Sequence, residues 1–283
     1  MGTLGHNDFV MHTRIIPSSG AALPVIGCGT WRGFDVGSTP AAWPQREGVL
    51  AALLEAGGRV IDSSPMYGSA EEVVGRLLPN VAGHDKAFLA TKVWTRGKRA
   101  GIEQMERSMA LLGTYFIDLM QVHNLLDWQT HLATLRQWKA AGRIGLIGVT
   151  HYTASGYEEL EQVMRSEPLD FVQFNYSMSS RQAEKRLLPL AAERGVAVLV
   201  NLPFGGGKEL AALKQTAVPG WAGELGCTSW NQVLLKFVLS QPAVTCVIPG
   251  TSSPAHMSDN AQAGSGELPP PGFWVQQLAN MGL

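Results

Sequence analysis

Four polar side chains lie at or just after the ends of segments that have the pattern of buried strands: Asp62, Tyr67, Lys92 and His123. In a closed barrel of parallel strands, such ends meet at one mouth. Together the four groups would supply a phenolic acid, an ammonium to lower its pKa, a carboxylate to hold the ammonium and an imidazole to orient a carbonyl. These residue types predict a site that reduces carbonyl groups.

Each group has a defined part in that chemistry. Hydride addition to a carbonyl carbon leaves negative charge on the oxygen, so the transition state requires a proton donor aimed at that atom. Tyr67 is the expected donor, and because a free phenol has a pKa of about 10, Lys92 is expected to stabilise the phenolate. Asp62 would keep Lys92 charged, and neutral His123 would donate one N–H to the substrate oxygen. Since no side chain donates hydride, a redox cofactor is required.

Each of these residues also has a structural explanation when it is taken alone. An Asp and a Lys in a barrel can form a purely structural ion pair, and a Tyr or a His can be an ordinary loop or core residue. Their shared position at one end of different strands, where barrel enzymes carry out their chemistry, favours the functional interpretation.

Length and composition fit one large α/β domain. The chain has 283 residues with 45% hydrophobic content, and α/β barrels commonly reach about 250 residues as one domain. We therefore expect one domain over residues 1–283. Lys and Arg total 22 against 23 Asp and Glu, so the charge balance argues against nucleic acid or an anionic membrane surface as a partner.

The cysteines and the apolar runs indicate the expected setting. Cys28, Cys227 and Cys246 lack the spacing of a disulfide framework or a zinc site. The N-terminal residues lack the apolar stretch of a signal peptide, and no run approaches the roughly 20 apolar residues that span a bilayer. We expect a cytoplasmic protein, and because no feature requires a partner protein, we expect a monomer.

Short apolar runs alternate with segments of helical period, which is typical of βα units around a parallel sheet. Residues 14–17 with Leu23 predict a hairpin under the barrel, and residues 205–226 predict a long loop that covers a ligand at the mouth. Ser69 and Glu72 predict a capping box at the helix after the second strand. The predicted fold is α/β, a (β/α)8 TIM barrel with an N-terminal hairpin and a long loop over its C-terminal face. The predicted strands are 25–28, 59–62, 87–92, 117–123, 144–149, 171–174, 196–200 and 245–248.

The segments around the four polar residues resemble the aldo-keto reductase superfamily, and the resemblance covers nearly all of the chain. It implies a (β/α)8 barrel, a catalytic tetrad formed by the four residues, and NADPH bound without a Rossmann domain. The motifs are Val60-Ile61-Asp62-Ser63-Ser64, Met66-Tyr67-Gly68, Ala90-Thr91-Lys92-Val93-Trp94 and Asp118-Leu119-Met120-Gln121-Val122-His123.

The resemblance also implies residues that bind cofactor and substrate. Trp31 and Trp94 match aromatic residues that face the substrate. They suggest a mostly apolar pocket for an aromatic or medium-sized aldehyde or ketone. One threonine lies beside the cofactor and three polar residues hold its nicotinamide carboxamide; in this order they are Thr30, Thr150, His151 and Gln173.

The sequence departs from the family pattern after the seventh strand. Many members have an aromatic residue there that stacks on the nicotinamide, whereas this chain has Asn201-Leu202-Pro203-Phe204. Stacking at position 201 is therefore excluded. We expect either the Phe204 ring or a hydrogen bond from Asn201 to position the nicotinamide, with Pro203 between them.

A second departure lies in the segment that resembles the clamp for the adenosine phosphate. Gly250 stands where the family has Lys, and His256 stands where it has Arg. Thr251, Ser252 and a helix N-terminus near position 254 can still bind the 2′-phosphate, while Asp259 and Asn260 match the residues that hold adenine. Without a fixed guanidinium, a bidentate charge pair is absent. We expect NADP(H) with a narrowed preference, so that NADH is also usable.

Other functions fit parts of the sequence. Lys92 could be the Schiff-base nucleophile of an aldolase, although an Asp partner argues against it. The chain could be a regulatory module that binds the cofactor but turns over slowly, although an intact tetrad weakens that alternative. A metal hydrolase is set aside because the histidines show no ligand spacing. The same groups can also run the reaction backwards as an alcohol dehydrogenase.

Overall fold

Alternating strands and helices form a (β/α)8 barrel in the computed structural model, which describes residues 10–37 and 40–281. Residues 1–9, 38–39 and 282–283 of the predicted domain lie outside the described ranges. Within these ranges, eight parallel strands pair in sequence order, and bridges from Ile26 to Val247 and from Gly29 to Gly250 connect the last strand to the first. The strands are β3 (Cys28–Gly29), β4 (Val60–Asp62), β5 (Phe88–Val93), β6 (Ile117–His123), β7 (Ile144–His151), β8 (Phe171–Asn175), β9 (Ala197–Asn201) and β10 (Val244–Val247).

Helices cover the outside of this sheet, and one apolar layer fills the space between sheet and helices. Each of the eight predicted strands is present, with bounds that differ from the prediction by a few residues. The helices are α1 (Trp43–Glu55), α2 (Ala70–Leu77), α3 (Lys98–Leu112), α4 (Trp128–Ala140), α5 (Tyr157–Ser166), α6 (Leu187–Arg194), α7 (Lys208–Leu213), α8 (Gly220–Glu224), α9 (Trp230–Leu239), α10 (Pro254–Gln262) and α11 (Pro271–Met281).

The predicted hairpin closes the amino-terminal end of the barrel. It consists of β1 (Thr13–Ile15) and β2 (Ala22–Pro24), paired antiparallel. Ile16 and Leu23 join the inner apolar cluster formed by strand residues such as Leu119. The Arg14 guanidinium donates to the carbonyl oxygens of Leu239, Gln241 and Val244, which fixes the hairpin to the connection before β10.

The inner row of each strand changes from apolar to polar toward the mouth. Side chains on a strand alternate between two faces, so a residue two positions after an inward apolar residue also points inward. Val60 and Ala90 belong to the inner cluster, and two residues later come Asp62 and Lys92. The same alternation carries Gln121 and then His123 inward from Leu119. The period of the strands thus builds a polar site on top of an apolar floor.

The segment 205–226 differs from the predicted loop. Its start lies near the mouth, where Glu209 accepts hydrogen bonds from Ser177 and Ser179. After α7, which contains Glu209, the segment continues through α8; the Trp230 indole donates to the Thr216 carbonyl oxygen, and the Trp221 ring packs against Trp274 of α11. These contacts tie the later part of the segment to α9 and α11, and the segment is partly helical where an irregular loop was expected.

The capping box at α2 is also different from the prediction. Ser69 is the N-cap residue, but its side chain makes no capping hydrogen bond to the helix. Instead the Ser69 hydroxyl donates to Asp35 and accepts from the Gly37 backbone N–H, while Glu72 pairs with Arg76. Ser69 therefore ties α2 to the loop after β3. A local motif was outcompeted by a tertiary contact.

Two observations concern membrane-spanning helices and the state of the cysteines. No helix in residues 10–37 and 40–281 is long and apolar enough to cross a membrane. The three cysteines are buried and free of disulfides.

We predict that the hairpin stabilises the barrel by closing its amino-terminal end with the buried side chain of Ile16. Ile16→Ala should lower the free energy of unfolding by about 2–5 kcal/mol, the usual cost of a large-to-small change in a core. The adjacent Ile15→Ala is the matched control, because Ile15 is 58% exposed and Ile16 only 1%; it should change stability by less than about 0.5 kcal/mol. Urea unfolding measures the free energy of unfolding of both variants. Equal losses in Ile16→Ala and Ile15→Ala would contradict a stabilising role of the buried Ile16 side chain.

Candidate active site

Lys92 and Asp62 form a buried ion pair at the mouth. The Lys92 Nζ lies 2.8 and 2.7 Å from the two Asp62 carboxylate oxygens and 2.6 Å from the Ser63 carbonyl oxygen. An ammonium has three N–H donors, and these three acceptors can take all of them. Removing the Lys from water without such partners would be costly, so the complete set of acceptors is what makes the charge tolerable.

Two glutamine side chains complete the hydrogen bonds of the carboxylate. The Gln121 amide donates to Asp62 Oδ1 at 3.3 Å and to Gln173 Oε1 at 2.9 Å, and the Gln173 amide donates to Asp62 Oδ2 at 3.4 Å. The sequence predicted Gln173 as a cofactor ligand and did not single out Gln121. The inward alternation from Leu119 was the available signal for Gln121.

The pKa of Lys92 determines what its amine can do. Burial lowers this pKa, but the charge of Asp62 and then Tyr67 raise it more, and the net result is a pKa above that of an ordinary lysine. The amine therefore stays protonated. A Schiff-base nucleophile must be a neutral amine, so this environment argues against the aldolase alternative.

Tyr67 lies on the tight connection between β4 and α2. Its backbone N–H donates to the Ser64 carbonyl oxygen at 3.0 Å, and its own carbonyl accepts from Ala70 at 3.1 Å. Lys92 Nζ lies 5.1 Å from the centroid of the phenol ring. The two chain segments thus bring acid and ammonium together, although they lie 25 positions apart in sequence (92 minus 67).

The net pKa of Tyr67 differs from the prediction. Burial raises this pKa above that of a free phenol, and the charge of Lys92 opposes the shift without overcoming it. The expectation of a net lowered pKa is therefore wrong for the protein without ligands, while the direction of the effect of Lys92 is as expected. A raised pKa keeps the phenol protonated at neutral pH, which is the form that a proton donor requires.

His123 is held neutral beside Tyr67. Burial, followed by the charges of Lys92 and His151, lowers the pKa of His123 to about 2. The His123 and Tyr67 rings meet edge to face with centroids 5.8 Å apart, and the Trp94 ring lies 6.4 Å from His123. The Nδ1 atom is 2.9 Å from the Ser64 hydroxyl. Ser64 was not singled out from the sequence, since a serine after a strand carries no specific signal.

The two predicted substrate aromatics are exposed for residues of their size. Trp31 is 45% exposed and Trp94 is 41% exposed. The Arg32 guanidinium stacks over the Trp31 ring at 4.2 Å from its centroid. Exposed tryptophans beside a polar cluster are available to contact a ligand.

The predicted nicotinamide residues occupy neighbouring strand ends. Thr150 pairs with both His123 and Gln173 across the sheet. Thr30 is buried, and its hydroxyl donates to the Asp62 carbonyl oxygen at 3.0 Å. This hydrogen bond fixes the backbone of a tetrad residue at the barrel mouth. The hydrogen bonds of the His151 ring are all made by Nδ1 to Thr153, which leaves Nε2 for a ligand.

The segment after β9 separates the two options for the nicotinamide. The Asn201 Oδ1 atom is buried without a hydrogen-bond partner. Such an orphaned acceptor fits a ligand that brings an N–H donor, for example a carboxamide. Phe204 instead packs in the apolar layer between sheet and helices, directly after buried Pro203. The expectation that the Phe204 ring stacks from the loop is therefore corrected.

The loop after β10 presents backbone and hydroxyl groups. Gly250 and His256 are exposed, and the Thr251 hydroxyl accepts from Ser253 N–H at 3.1 Å. The N-cap of α10 is Ser253, which accepts from the His256 backbone at 3.4 Å. This leaves Ser252 at the positive end of the helix dipole, where an anion is favoured.

The two residues predicted to hold adenine are engaged elsewhere. The Asp259 oxygens accept hydrogen bonds from Ser229 at 2.8 Å and from Gln232 at 2.6 Å, and Asn260 Oδ1 accepts from Asn231 at 3.0 Å. These contacts tie α10 to α9 and the residue before it. Both carboxylate oxygens thus already have protein donors, which the sequence pattern could not indicate.

An arginine from α1 binds the loop after β3, which packs on the loop after β10. Arg46 of α1 donates from Nε to the Gly33 carbonyl oxygen at 2.7 Å and from Nη1 to Gln45 at 2.6 Å. The Gly33 backbone packs on the loop after β10, since a Cβ at Gly33 would lie 2.9 Å from the Thr251 carbonyl oxygen and 3.8 Å from Ser252 N. Arg46 is thus linked to the loop after β10 through Gly33, which contacts both.

Other possible sites do not compete with the mouth. Within residues 10–37 and 40–281, no group of three or more His, Cys, Asp or Glu side chains could hold a metal ion. A groove of about 630 Å³ lies at the opposite end of the barrel, between the hairpin, α6 and residues 268–271. It contains none of the four tetrad residues, so its size does not mark the site of chemistry.

Comparisons with known proteins agree with this geometry. The model of the family described as "Aldo/keto reductase family" matches residues 25–271. Methylglyoxal reductase YeaE of Escherichia coli (strain K12) is 31% identical over 262 residues, covering 89% of each chain. The NADH-specific methylglyoxal reductase of the same strain is 28% identical over 235 residues, covering 70% of this chain and 68% of that protein.

Solved structures give the same result. An aldo/keto reductase of Klebsiella pneumoniae in complex with NADP and acetate has a TM-score of 0.79 at 28% identity, covering 96% of this chain and 95% of that chain. A second structure from the same organism, in complex with NADPH, has the same TM-score and identity. The chain belongs to the aldo/keto reductase family and is an NAD(P)H-dependent oxidoreductase.

Proposed function

We propose that the protein reduces aldehydes or ketones to alcohols with Tyr67 as the general acid. The observation that carries this proposal is the arrangement at the mouth: the Tyr67 and His123 rings meet edge to face, and Lys92 Nζ lies 5.1 Å from the centroid of the phenol ring. The pKa shifts of the three groups favour a protonated phenol, a neutral imidazole and a charged ammonium. Each group is in the protonation state that the reduction requires.

The steps made by this chain concern the substrate oxygen. His123 donates an N–H to the carbonyl oxygen and fixes its direction, and Tyr67 transfers its hydroxyl proton to that oxygen as negative charge develops there. The Lys92 charge then stabilises the phenolate, and Asp62 with the Ser63 carbonyl keeps the ammonium in place. In the reverse direction the phenolate takes the proton from an alcohol.

A bound nicotinamide cofactor would supply the hydride. Thr30, Thr150, His151, Gln173 and Asn201 would hold its nicotinamide end, and the orphaned Asn201 Oδ1 supports this fit. At the other end, the Ser252 and Thr251 groups and the start of α10 would bind the 2′-phosphate, with Gly250 and His256 beside them. Arg46 is proposed as the cation of that clamp.

The substrate is a small carbonyl compound. Trp31 and Trp94 favour an aromatic or medium-sized aldehyde or ketone. The names of the two E. coli relatives add methylglyoxal, a small 2-oxoaldehyde, as a substrate to test. We further propose that one barrel domain acts as a monomer in the cytoplasm.

A regulatory module with little turnover is the remaining alternative. It would bind NADPH firmly and oxidise none of it over a panel of carbonyl compounds. The complete hydrogen bonding around Lys92 and the neutral His123 favour the enzyme, because a module that only binds cofactor has no need of a poised acid.

We predict that Tyr67→Phe lowers turnover by about a hundredfold or more, the usual contribution of a positioned acid. Cofactor affinity should change little, because the hydroxyl serves the substrate oxygen. NADPH oxidation with methylglyoxal and an aromatic aldehyde measures turnover, and quenching of protein fluorescence measures cofactor binding. Near-normal turnover in Tyr67→Phe would show that the acid is a different group.

We predict that Lys92→Met affects turnover and stability together. Turnover should fall by about a hundredfold, and the free energy of unfolding should fall by about 3–5 kcal/mol because Asp62 is left as a buried unpaired charge. The double variant Asp62→Asn with Lys92→Met is the control; it should recover stability without recovering turnover. A single variant as stable as the wild type would contradict the buried pair.

We predict that the protein binds NADPH only moderately more tightly than NADH, and that this difference in affinity depends on Arg46. The dissociation constants of NADPH and NADH should differ by less than about a thousandfold, because the bidentate clamp of the family is incomplete. Arg46→Ala should reduce the ratio about tenfold or more, as expected for a hydrogen bond to a charged group. Arg194→Ala, at the C-terminal end of α6, is the control. If the NADH dissociation constant exceeds that of NADPH by more than about a thousandfold, or if Arg46→Ala leaves the ratio of the two constants unchanged, this prediction is refuted.

A further inference from the structure

We infer that Ser64 is a positioning residue that sets the tautomer of His123 and keeps the ring proton on Nε2. Nothing in the family motif assigns this part to Ser64. The inference deepens the proposed function, because its catalytic consequence rests on His123 donating to a substrate oxygen. The tautomer itself is a property of the protein without ligands.

The contact is short and enclosed. The Ser64 Oγ lies 2.9 Å from His123 Nδ1, and both side chains are buried. The Met66 backbone N–H points at the same Oγ from 3.3 Å. The hydroxyl therefore has two neighbours at hydrogen-bond distance, of which one can only donate.

The direction of the hydrogen bond follows from counting protons. A serine hydroxyl has one proton to donate, and a neutral imidazole carries one N–H. If His123 Nδ1–H donated to Ser64, the Ser64 proton would have no acceptor in a buried site, since Met66 N–H is itself a donor. If Ser64 donates to Nδ1, every group is satisfied. The second arrangement avoids the desolvation cost of a buried unpaired donor.

The remaining ring nitrogen is the one that faces the mouth. Nε2 makes no hydrogen bond to the described residues, and it is not among the enclosed atoms that lack a partner. With Nδ1 accepting from Ser64, the proton of a neutral ring must lie on Nε2. His123 then presents an N–H, and not a lone pair, to a carbonyl oxygen.

One turn of backbone links this device to the acid. Ser64 follows the end of β4 by two residues, and its carbonyl accepts the backbone N–H of Tyr67 at 3.0 Å. The same residue therefore fixes the Tyr67 turn through its main chain and the His123 ring through its side chain. A shift of this turn would move the acid and change the partner of the imidazole at once.

The first test is a direct measurement of the tautomer. Protein labelled with ¹⁵N in its histidines is examined by long-range ¹H–¹⁵N correlation spectra without cofactor or substrate at neutral pH. Loss of one ring system in His123→Ala assigns the signals. We expect an unprotonated Nδ1 and a protonated Nε2 for His123. A protonated Nδ1 in the wild type would overturn the inference, whether or not any Ser64 variant folds.

The second test removes the hydroxyl. In Ser64→Ala the His123 signals should move toward the other tautomer or an average of the two, and kcat should fall about tenfold, equivalent to about 1.4 kcal/mol. Cofactor dissociation constants should stay constant. Ser64→Thr keeps a hydroxyl and should restore the wild-type tautomer. Unchanged signals with unchanged kcat in Ser64→Ala would overturn the inference.

A neighbouring serine serves as the matched control. Ser63 is also buried, but its hydroxyl lies 3.0 Å from the Thr30 hydroxyl and makes no hydrogen bond to His123. Ser63→Ala should leave the His123 tautomer unchanged, and a shift as large as that in Ser64→Ala would count against a specific contact. The spectra also separate the two proposals: a correct tautomer in a protein that reduces no carbonyl would refute the function and leave the contact standing.

Discussion

The buried ion pair of Lys92 and Asp62 is the interaction on which the site depends. An ammonium in a dry barrel is tolerable only if its donors are all accepted and its charge is balanced. Here Asp62 and the Ser63 carbonyl supply the acceptors, and Gln121 and Gln173 in turn donate to the carboxylate. Because these groups come from the ends of four strands, β4, β5, β6 and β8, the strands must be assembled before the charge can be accommodated.

That requirement explains the layered interior. The apolar floor formed by the hairpin and the lower strand residues excludes water from below, while the polar row above it faces the mouth. A low local dielectric strengthens the effect of Lys92 on Tyr67 and also keeps His123 neutral. The same burial raises the pKa of the phenol. Burial and the Lys92 charge oppose each other at Tyr67: burial favours the protonated phenol, and the ammonium favours the phenolate that remains once the proton has been given up.

The fold and the tetrad were predictable because their signals are periodic or local. Strand alternation, helix spacing and the motif around Asp62 and Lys92 each lie within a short stretch of sequence. Contacts between distant segments were not predictable: Ser64 with His123, Arg46 with Gly33 in the loop after β3, and Asp259 with Ser229 and Gln232. Phe204 was misplaced for a related reason, since nothing local distinguishes an aromatic at a mouth from one in the core.

The hydrogen bonding of Lys92 bears on how the phenol of Tyr67 would regain its proton after each turnover. Asp62 and Ser63 place three acceptor oxygens around the Lys92 ammonium and hold its charge at a fixed position beside Tyr67. No relay through the barrel floor can recharge Tyr67, because that floor is apolar. Under the proposed role of Tyr67 as the acid, we expect the replacement proton to enter from bulk water through the opening by which the alcohol leaves, so that product departure and reprotonation of the phenol share one route.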